Sequence, residues 1–526
     1  MTKRLVRLSC LLGASFSGVA AFASGPDGAY AGRKGGFAWL DYATLVAYLL
    51  GMVAIGWYCA RRNKNTDDYF KAAGRIPWWA AGLSIYATML SSLTFMAIPA
   101  KAYATDWTFF WANVPILLLA PLIIHLYLPF FRRLNITSAY EYLELRFNLP
   151  ARLYGSAAFV LFQIGRQAIV LLLPSLALAR VSDLDVTTSI LIMGILCVVY
   201  TVMGGMEAVV WTDVAQTIVL LGAALLSLGL ILWGPTGTGL GQFVEVATDA
   251  GKFHMFNWTT DPSTSANAFW VILLGNIFIN LVPYTSDQAV VQRYMTTRDQ
   301  SQSARAIWLN AWITIPSTVL FFSIGTALYV FYHQHPDMLD QKQATDVIFP
   351  AFIVQNLPIG VAGLVIAGIF AAAQSTVSGS LNSVTTAIMT DFCRRFGFLR
   401  DETRSLRAAR LITATLGVFA TLAALALAQF GFKSLWDAYN SLVGLIGSGL
   451  AGLFMLGIFT RRANGVGAMI GALASALVLF VVQKFTDLHF FLYAGIGIVT
   501  CAVVGWIASL AFHSSSPSPK GLTIHG

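Results

Sequence analysis

The sequence predicts an all-α polytopic membrane protein with 13 transmembrane helices. Of its 526 residues, 57% are apolar and only 11% are charged, whereas ordinary globular proteins have about 25% charged residues. So few charges cannot cover the surfaces of the three or four soluble domains that this length would otherwise suggest. Intrinsic disorder is also excluded, because it requires low hydrophobicity and high charge. Lipid must therefore surround most of the chain.

Apolar runs long enough to cross a bilayer recur along the chain. A hydrocarbon core about 30 Å thick takes roughly 20 helical residues, because each residue rises about 1.5 Å. Only helices or closed barrels satisfy the backbone in lipid, and these runs lack the alternation of barrel strands. The predicted helices lie at 37–60, 77–100, 107–130, 153–179, 186–203, 213–233, 266–284, 306–332, 358–392, 411–430, 435–460, 466–484 and 488–512.

The positive charges predict the orientation of these helices. The connections on one side, with the C-terminal tail, contain 21 Lys and Arg residues, and those on the other side contain six. The richer side is cytoplasmic by the positive-inside rule. The mature N-terminus is then outside the cell inner membrane and the C-terminus inside. The net charge of +9 is mostly topological, and no nucleic-acid partner is predicted.

Residues 1–23 have the pattern of a secretory signal peptide. Lys3, Arg4 and Arg7 precede a 16-residue, mostly apolar stretch at 8–23 that ends in a small-x-small sequence at 21–23, which is typical of a cleavage site. An uncleaved fourteenth span is the alternative. The membrane domain then covers 37–512, and a short cytoplasmic tail covers 513–526.

The residues that commonly perform catalysis or bind transition metals form no recognisable cluster. The five cysteines contain no CxxC pair and the seven histidines are scattered, so neither a disulfide framework nor a zinc site is supported. An enzyme is therefore disfavoured. A channel would show a continuous polar stripe or filter ring, and a membrane sensor would carry an output domain; the sequence shows neither.

Arg166 is a charged residue near the middle of a predicted helix. It lies 13 residues into the run 153–179, where a charge costs roughly 2.5–3.5 kcal/mol. Backbone carbonyls or an internal carboxylate could satisfy it. However, no Asp or Glu lies in the middle of a predicted span. We therefore expect the guanidinium to pair with the carboxylate of an anionic substrate.

Two predicted helices contain weak points. Four hydroxyl residues fall within 88–94 of the second span; they either bond back to helix carbonyls or mark an unwound segment. The seventh span has a similar weak point at Gly275-Asn276 and at 280–283. Interrupted helices at corresponding positions of two halves are typical of inverted-repeat transporters, which bind substrate and ions at the breaks.

Two further features suggest an ion pathway. The segment FAAAQSTVSGSLNS at 370–383 has a row of uncharged hydroxyls. Small residues often serve helix packing, but hydroxyl and carbonyl oxygens also form a neutral cage for a small cation such as Na+. Asp213 opens the sixth predicted span, where it either caps the helix or relays an ion.

At these motifs the chain resembles the sodium:solute symporter family, most closely its bacterial sodium-coupled sialic acid transporters. The resemblance covers nearly all of residues 41–512. It rests on SSLTFM at 91–96, ITSAYEYL at 136–143, WTD at 211–213, DQAVVQRY at 287–294 and the segment 370–383. It implies a leucine-transporter-like fold, with two inverted five-helix repeats in spans two to eleven, one helix before them and two after.

The resemblance also implies ion sites. In relatives, one Na+ lies between the first and eighth core helices, at positions that match Ala87, Leu90, Ala372, Ser375 and Thr376. Some relatives bind a second Na+ through hydroxyls of the eighth core helix and an aspartate, which match Ser375, Ser378 and Asp213. A further serine of that second site is replaced by Gly379. One oxygen ligand is therefore missing, and the sequence leaves the second ion open.

The implied substrate is a carboxylate that pairs with Arg166. The other matching positions are Ser91, Thr94, Met89, Phe109 and Asn113. Met89 replaces a threonine of the relatives and Asn113 a glutamine, which reshapes the pocket. The predicted function is sodium-coupled import of an anionic sugar acid, sialic acid (N-acetylneuraminate), by alternating access; another carboxylate or a sugar solute is the alternative. The expected partners are this substrate, sodium ions and membrane lipid, and the expected state is a monomer.

Overall fold

Helices make up almost all the regular secondary structure of the described chain. The computed structural model describes residues 37–61, 66–134, 136–181, 184–234, 237–338, 345, 348–398, 401–429, 439, 441–512 and 521–524. The predicted signal peptide at 1–23 lies outside these residues, as does most of the predicted tail. The helices of the first half are α1 Trp39–Ala60, α2 Thr66–Lys71, α3 Trp78–Met89, α4 Ser92–Ala104, α5 Pro115–Leu122, α6 Leu128–Leu134, α7 Glu141–Arg146, α8 Leu149–Val181 and α9 Val186–Trp233.

The second half of the chain has the same all-helical character. Its helices are α10 Leu240–Asp249, α11 Phe269–Thr285, α12 Gln288–Met295, α13 Gln300–Gln334, α14 Ile348–Asn356, α15 Val361–Ala387, α16 Glu402–Ala428, α17 Ser448–Phe459, α18 Gly465–Phe485 and α19 Phe491–Ala511. The π-helical segments Ile123–Tyr127, Ile388–Arg394 and Val443–Gly447 continue α5, α15 and the start of α17 without a loop.

The helices of the described residues match the thirteen predicted spans. Nine are long and apolar enough to cross a membrane, or 11 if each of two bent helix pairs is one span. The 48-residue α9 covers two predicted spans, because the chain kinks at Gly205 with φ of 57° and no loop intervenes. The shorter apolar helix Val443–Phe459 accounts for the remaining span.

Two of the membrane-crossing helices are broken. The axes of α3 and Thr94–Ala104 differ by 56°, and those of α11 and α12 differ by 58°. These are the two spans in which the sequence predicts weak points. A break inside a membrane helix frees backbone groups, and it persists only where protein or a polar cavity satisfies them. The breaks therefore mark where a functional site is expected.

Helix α15 forms the centre of the molecule. It is buried along nearly its whole length and packs against α9, α8 and α1. By contrast, α16 exposes a row of large apolar side chains, including Leu411, Val418, Phe419 and Leu422. Such a row is stable in lipid but not in water. The hydroxyl-rich segment of α15 is therefore internal, and α16 belongs to the perimeter of the bundle.

Candidate substrate and ion site

The break between α3 and α4 supplies backbone oxygens. Leu90 and Ser91 lie between the two helices, with extended backbone and ψ of 102° and 175°. The last carbonyls of a helix have no partner within it. In this last turn the carbonyl oxygens of Ala87 and Thr88 instead accept hydrogen bonds from side chains of α15 and α8. One short stretch of backbone thus joins two other helices.

Four of the five predicted ligands of the first sodium site come together here. The Ser375 hydroxyl donates to the carbonyl oxygen of Ala87 over 2.9 Å and approaches that of Ala372 at 3.1 Å. The Thr376 hydroxyl donates to the Ala372 carbonyl over 3.3 Å. The fifth, Leu90, is the extended residue that ends α3.

This oxygen cluster suits a small hard cation. The side chains of Ser375 and Thr376 are buried, and every contributing oxygen is a neutral hydroxyl or carbonyl. Neutral oxygens can replace the hydration shell of an ion without holding it so tightly that it cannot leave. The cluster fits Na+ as a transported ion.

Arg166 extends from α8 to the same break. Its Nη2 donates to the carbonyl oxygen of Thr88 over 2.7 Å, and the side chain is only 3% exposed. Its Nη1 lies 3.9 Å from Oδ2 of Asp287, and its Nε has no hydrogen-bond partner among the described residues. The guanidinium is thus only partly satisfied.

The expectation that Arg166 has no internal carboxylate nearby is wrong. Asp287 lies at the break between α11 and α12, buried, and its carboxylate accepts from the backbone N–H of Ala289 over 2.7 Å as the N-cap of α12. The apolar run at 266–284 ends before Asp287, so counting spans places this residue in a connection. Because α11 and α12 form one bent span, Asp287 lies in the interior of the protein.

A hydrogen-bonded chain links Asp287 to helix α15. The Gln163 side-chain amide donates to both Asp287 oxygens, over 3.0 and 3.1 Å, and its carbonyl oxygen accepts from the Ser380 hydroxyl over 2.9 Å. Gln163 lies one turn before Arg166 on α8. The environment of Arg166 is therefore tied to the helix that carries the sodium ligands.

A cavity is lined in part by the broken helix. Its atom-free space is about 500 Å³, part of which is open to solvent. The predicted substrate residues Met89, Thr94 and Asn113 line it, together with Asn280 and Asn310. The structure thus brings three of the six predicted substrate residues onto one cavity.

The other three predicted substrate residues lie outside the lining of this cavity. Arg166 bonds to the Thr88 carbonyl at the end of α3. Ser91 is buried in the extended segment. The ring of Phe109 lies against Lys101, whose Nζ is 4.4 Å from the ring centroid, and makes an edge contact with Phe491.

Asp213 neither opens nor caps a helix, which corrects one of the sequence interpretations. It lies inside α9, eight residues after Gly205, and is completely buried. Its Oδ2 is 3.0 Å from Nη2 of Arg293 and accepts from the Ser84 hydroxyl over 2.5 Å. Charge counting assigned Arg293 to a cytoplasmic connection. The structure places it in α12 with no exposed surface.

A second charged cluster lies at the far end of α15. Arg152 of α8 donates to Asp391 through Nε and to Glu144 through Nη1, both over 2.8 Å. The hydroxyls of Ser138 and Ser156 also donate to Asp391, over 2.7 and 2.9 Å. This cluster fixes α15 to α8 on the side predicted to be cytoplasmic.

Comparison with known proteins identifies this architecture. The model of the sodium:solute symporter family matches residues 69–475. The sodium/sialic acid symporter NanT of Aliivibrio fischeri is 42% identical over 487 residues, which cover 92% of this chain and 95% of NanT. The sodium/sialic acid symporter SiaT of Proteus mirabilis is 42% identical over 480 residues, which cover 90% of this chain and 96% of SiaT.

The structural comparison agrees with the sequence comparison. A solved structure of a Na+-coupled sialic acid symporter, in a substrate-bound outward-open state said to reveal a novel Na+ site, matches with a TM-score of 0.85 at 40% identity. The match covers 91% of this chain and 99% of that chain. The all-helical, leucine-transporter-like fold implied by the resemblance is confirmed. The chain is a multi-pass membrane transporter and belongs to the sodium:solute symporter family.

Proposed function

We propose that this protein is a secondary active symporter that imports sialic acid together with Na+. The observation that carries the proposal is the position of Arg166, a buried guanidinium at the break of α3 and α4 with one nitrogen unpartnered among the described residues. Two relatives that are 42% identical over most of the chain are sodium/sialic acid symporters. A carboxylate-bearing sugar fits both facts.

The substrate carboxylate binds Arg166 in this proposal. A guanidinium presents a planar fork of donors that matches a carboxylate. Because not all hydrogen-bond donors of Arg166 have partners among the described residues, the guanidinium can accept the substrate carboxylate as a further partner. The hydroxyls of the sugar acid then face Thr94 and Asn113 in the adjacent cavity. Ser91, buried in the extended segment between α3 and α4, is the remaining hydroxyl contact in this proposal.

Another carboxylate or a sugar solute is the second candidate. It is favoured by Met89, a thioether on the cavity wall at a position where the family resemblance implies a threonine. A thioether accepts hydrogen bonds only weakly, so this wall offers a sugar hydroxyl less than a threonine would. Asn113 is one methylene shorter than glutamine, so it adds space to the cavity.

Substrate and sodium binding are coupled through adjacent backbone carbonyls. The Ala87 carbonyl belongs to the sodium cluster, and the carbonyl of the next residue, Thr88, is held by Arg166. An ion that fixes the first carbonyl restrains the second, and with it the guanidinium that receives the carboxylate. By linkage, the factor by which bound Na+ raises the affinity for the substrate equals the factor by which bound substrate raises the affinity for Na+.

Transport follows by alternating access. Na+ stabilises the broken helix in its outward-facing arrangement, the substrate docks on Arg166, and the cluster around Arg152 and Asp391 opens to release both to the cytoplasm. Breaking that cluster exposes groups that are well paired in this structure. Substrate and ion together must therefore supply the free energy for opening.

The cellular arrangement is also part of the proposal. The protein resides in the inner membrane with the mature N-terminus outside and the C-terminus in the cytoplasm, as the distribution of Lys and Arg supports. It acts as a monomer in lipid, because one chain contains both breaks and the residues between them.

Competition for uptake tests the substrate assignment. Full-length protein in proteoliposomes with an inward sodium gradient should take up labelled sialic acid, and unlabelled sialic acid should abolish the signal. The methyl ester of sialic acid, which lacks the carboxylate charge, is the matched control and should not compete. Competition by the ester at the same concentration as the acid would contradict pairing with Arg166.

A further inference from the structure

Arg293 forms an ion pair with Asp213, and each of its three guanidinium nitrogens has a hydrogen-bond partner. Nε of Arg293 donates to the Ser84 hydroxyl over 2.8 Å, Nη1 to the Ala289 carbonyl over 2.5 Å, and Nη2 to Asp213 over 3.0 Å. Both charged side chains have no exposed surface. A guanidinium is not deprotonated in proteins. The charge of Asp213 is therefore balanced by a permanent internal cation.

Gly379 is what leaves room for this cation. A Cβ atom at position 379 would lie 2.2 Å from Nη2 of Arg293 and 3.0 Å from its Cζ, closer than atoms can approach without movement. Any residue other than glycine would push the guanidinium away from Asp213. The helix α15 thus presents a gap to α12, and the arginine fills it.

We propose that Arg293 serves as a built-in cation beside Asp213, in place of a second transported Na+, so that one sodium ion accompanies each substrate. The proposal rests on the proposed function. It concerns the stoichiometry of coupling, which the sequence leaves open at Gly379.

The described contacts do not assemble a second ion site around Asp213. Among the described residues neither Ser375 nor Ser378 bonds to Asp213; their hydroxyls donate to the carbonyl oxygens of Ala87 and Ser375, and Gly379 supplies no side-chain oxygen. Oδ1 of Asp213 has no hydrogen-bond partner among the described residues. A sodium ion at that oxygen would lie beside the fixed charge of Arg293 in a buried environment, where like charges repel strongly.

One sodium per substrate has an electrical consequence. A monovalent anion and one Na+ carry no net charge, so the membrane potential should not drive their uptake. Two sodium ions together with the monovalent anion would carry one net positive charge, and a potential of 100 mV would then raise the limiting accumulation about 50-fold.

Sodium dependence and charge movement in proteoliposomes test this stoichiometry. For the unmodified chain we expect sialic acid uptake to show a Hill coefficient for sodium near one. An inside-negative potential, imposed with potassium and valinomycin, should leave accumulation unchanged. A Hill coefficient near two together with accumulation driven by the potential would overturn the role of Arg293 and leave the proposed function standing. Uptake that ignores sodium would instead contradict the proposed function.

Two variants at one position separate the causes. Gly379→Ser displaces the guanidinium and adds an oxygen, so the Hill coefficient should rise towards two and an inside-negative potential should drive accumulation. Gly379→Ala displaces the guanidinium without adding a ligand, so uptake should fall while the Hill coefficient stays near one. Gly222→Ser is the control, because nothing lies within 4 Å of its added Cβ. If Gly379→Ser and Gly379→Ala behave alike, with both remaining insensitive to potential, the added hydroxyl completes no ion site and the proposal fails.

Discussion

Arg166 donates a hydrogen bond to the carbonyl oxygen of Thr88 over 2.7 Å, and Thr88 directly follows Ala87, whose carbonyl oxygen accepts from Ser375 over 2.9 Å. The predicted substrate anchor and the predicted sodium ligand therefore bond to the carbonyl oxygens of two consecutive peptide groups in the broken helix. This arrangement is compact enough for each ligand to affect the other without a long pathway.

Replacing Arg166 should weaken substrate binding without abolishing sodium binding. Arg166→Ala deletes a charge-assisted pair worth about 2–3 kcal/mol, so sialic acid affinity should fall about 30- to 150-fold. Sodium-dependent thermal stabilisation should persist, because the oxygens around Ser375 remain. Equilibrium binding of labelled substrate measures the first effect. Arg133→Ala, at an exposed arginine, is the control, and unchanged affinity in Arg166→Ala would remove this residue from the site.

Replacing Ser375 should instead weaken sodium binding. Ser375→Ala removes one neutral oxygen from the cluster, and we expect the sodium concentration for half-maximal uptake to rise about 10-fold, equivalent to about 1.4 kcal/mol. Sodium titration of uptake measures the shift. Ser227→Ala is a matched control, because among the described residues that buried hydroxyl donates only to the Ala223 carbonyl of its own helix. Equal titration curves for the two variants would exclude Ser375 as a ligand.

Removing the charge of Asp287 should strengthen substrate binding. Its carboxylate lies 3.9 Å from Nη1 of Arg166 and competes with an incoming anion for the guanidinium. Asp287→Asn keeps a cap for α12, because the amide oxygen can still accept from Ala289, and should raise sialic acid affinity about 3- to 10-fold. Binding isotherms report the change. Weaker binding by a folded Asp287→Asn protein would mean that the negative charge helps the substrate, contrary to this account.

The buried His489 should make the folded protein less stable in mild acid. It is buried between α18 and α19, and this burial, with a smaller contribution from Lys101, lowers its pKa to about 4. The unfolded chain binds the proton near pH 6.5. The stability that depends on neutral His489 is therefore complete above pH 6.5 and declines as the pH falls towards 4. At pH 5 the loss is about 2 kcal/mol.

Thermal unfolding at pH 7.5 and pH 5 measures this loss. His489→Gln cannot titrate in this range, so its melting temperature should fall less between the two pH values than that of the unmodified chain. A fall of the same size in both proteins would show that other groups cause the acid sensitivity.

The broken helices could be predicted because their causes are local. Hydroxyls crowded into 88–94, and Asn280 with Pro283 in the stretch 280–283, lie close to the observed breaks. The buried position of Arg166 and the clustering of Ser375 with Ala87 were likewise accessible, from the cost of a charge in lipid and from the family resemblance. The breaks and the burial of Arg166 need only the residue and its immediate neighbours, whereas the pairing of Ser375 with Ala87, 288 positions apart, needs the resemblance.

The ion pairs could not be predicted in the same way. Asp213 and Arg293 are 80 positions apart, and counting the arginine as a loop charge hid its burial. Asp287 fell outside its predicted span because hydropathy ends a helix where apolar residues end, whereas the chain bends and continues as α12. Ion pairs between helices depend on how the broken helices pack against their neighbours. A local sequence pattern does not contain this information.

Uptake of labelled sialic acid with and without an inward sodium gradient tests the central claim most directly. Proteoliposomes containing the purified chain should accumulate the substrate above its external concentration when the gradient is present. They should only reach equilibrium when sodium is equal on both sides. Equal uptake under the two conditions would contradict sodium-coupled import by this protein.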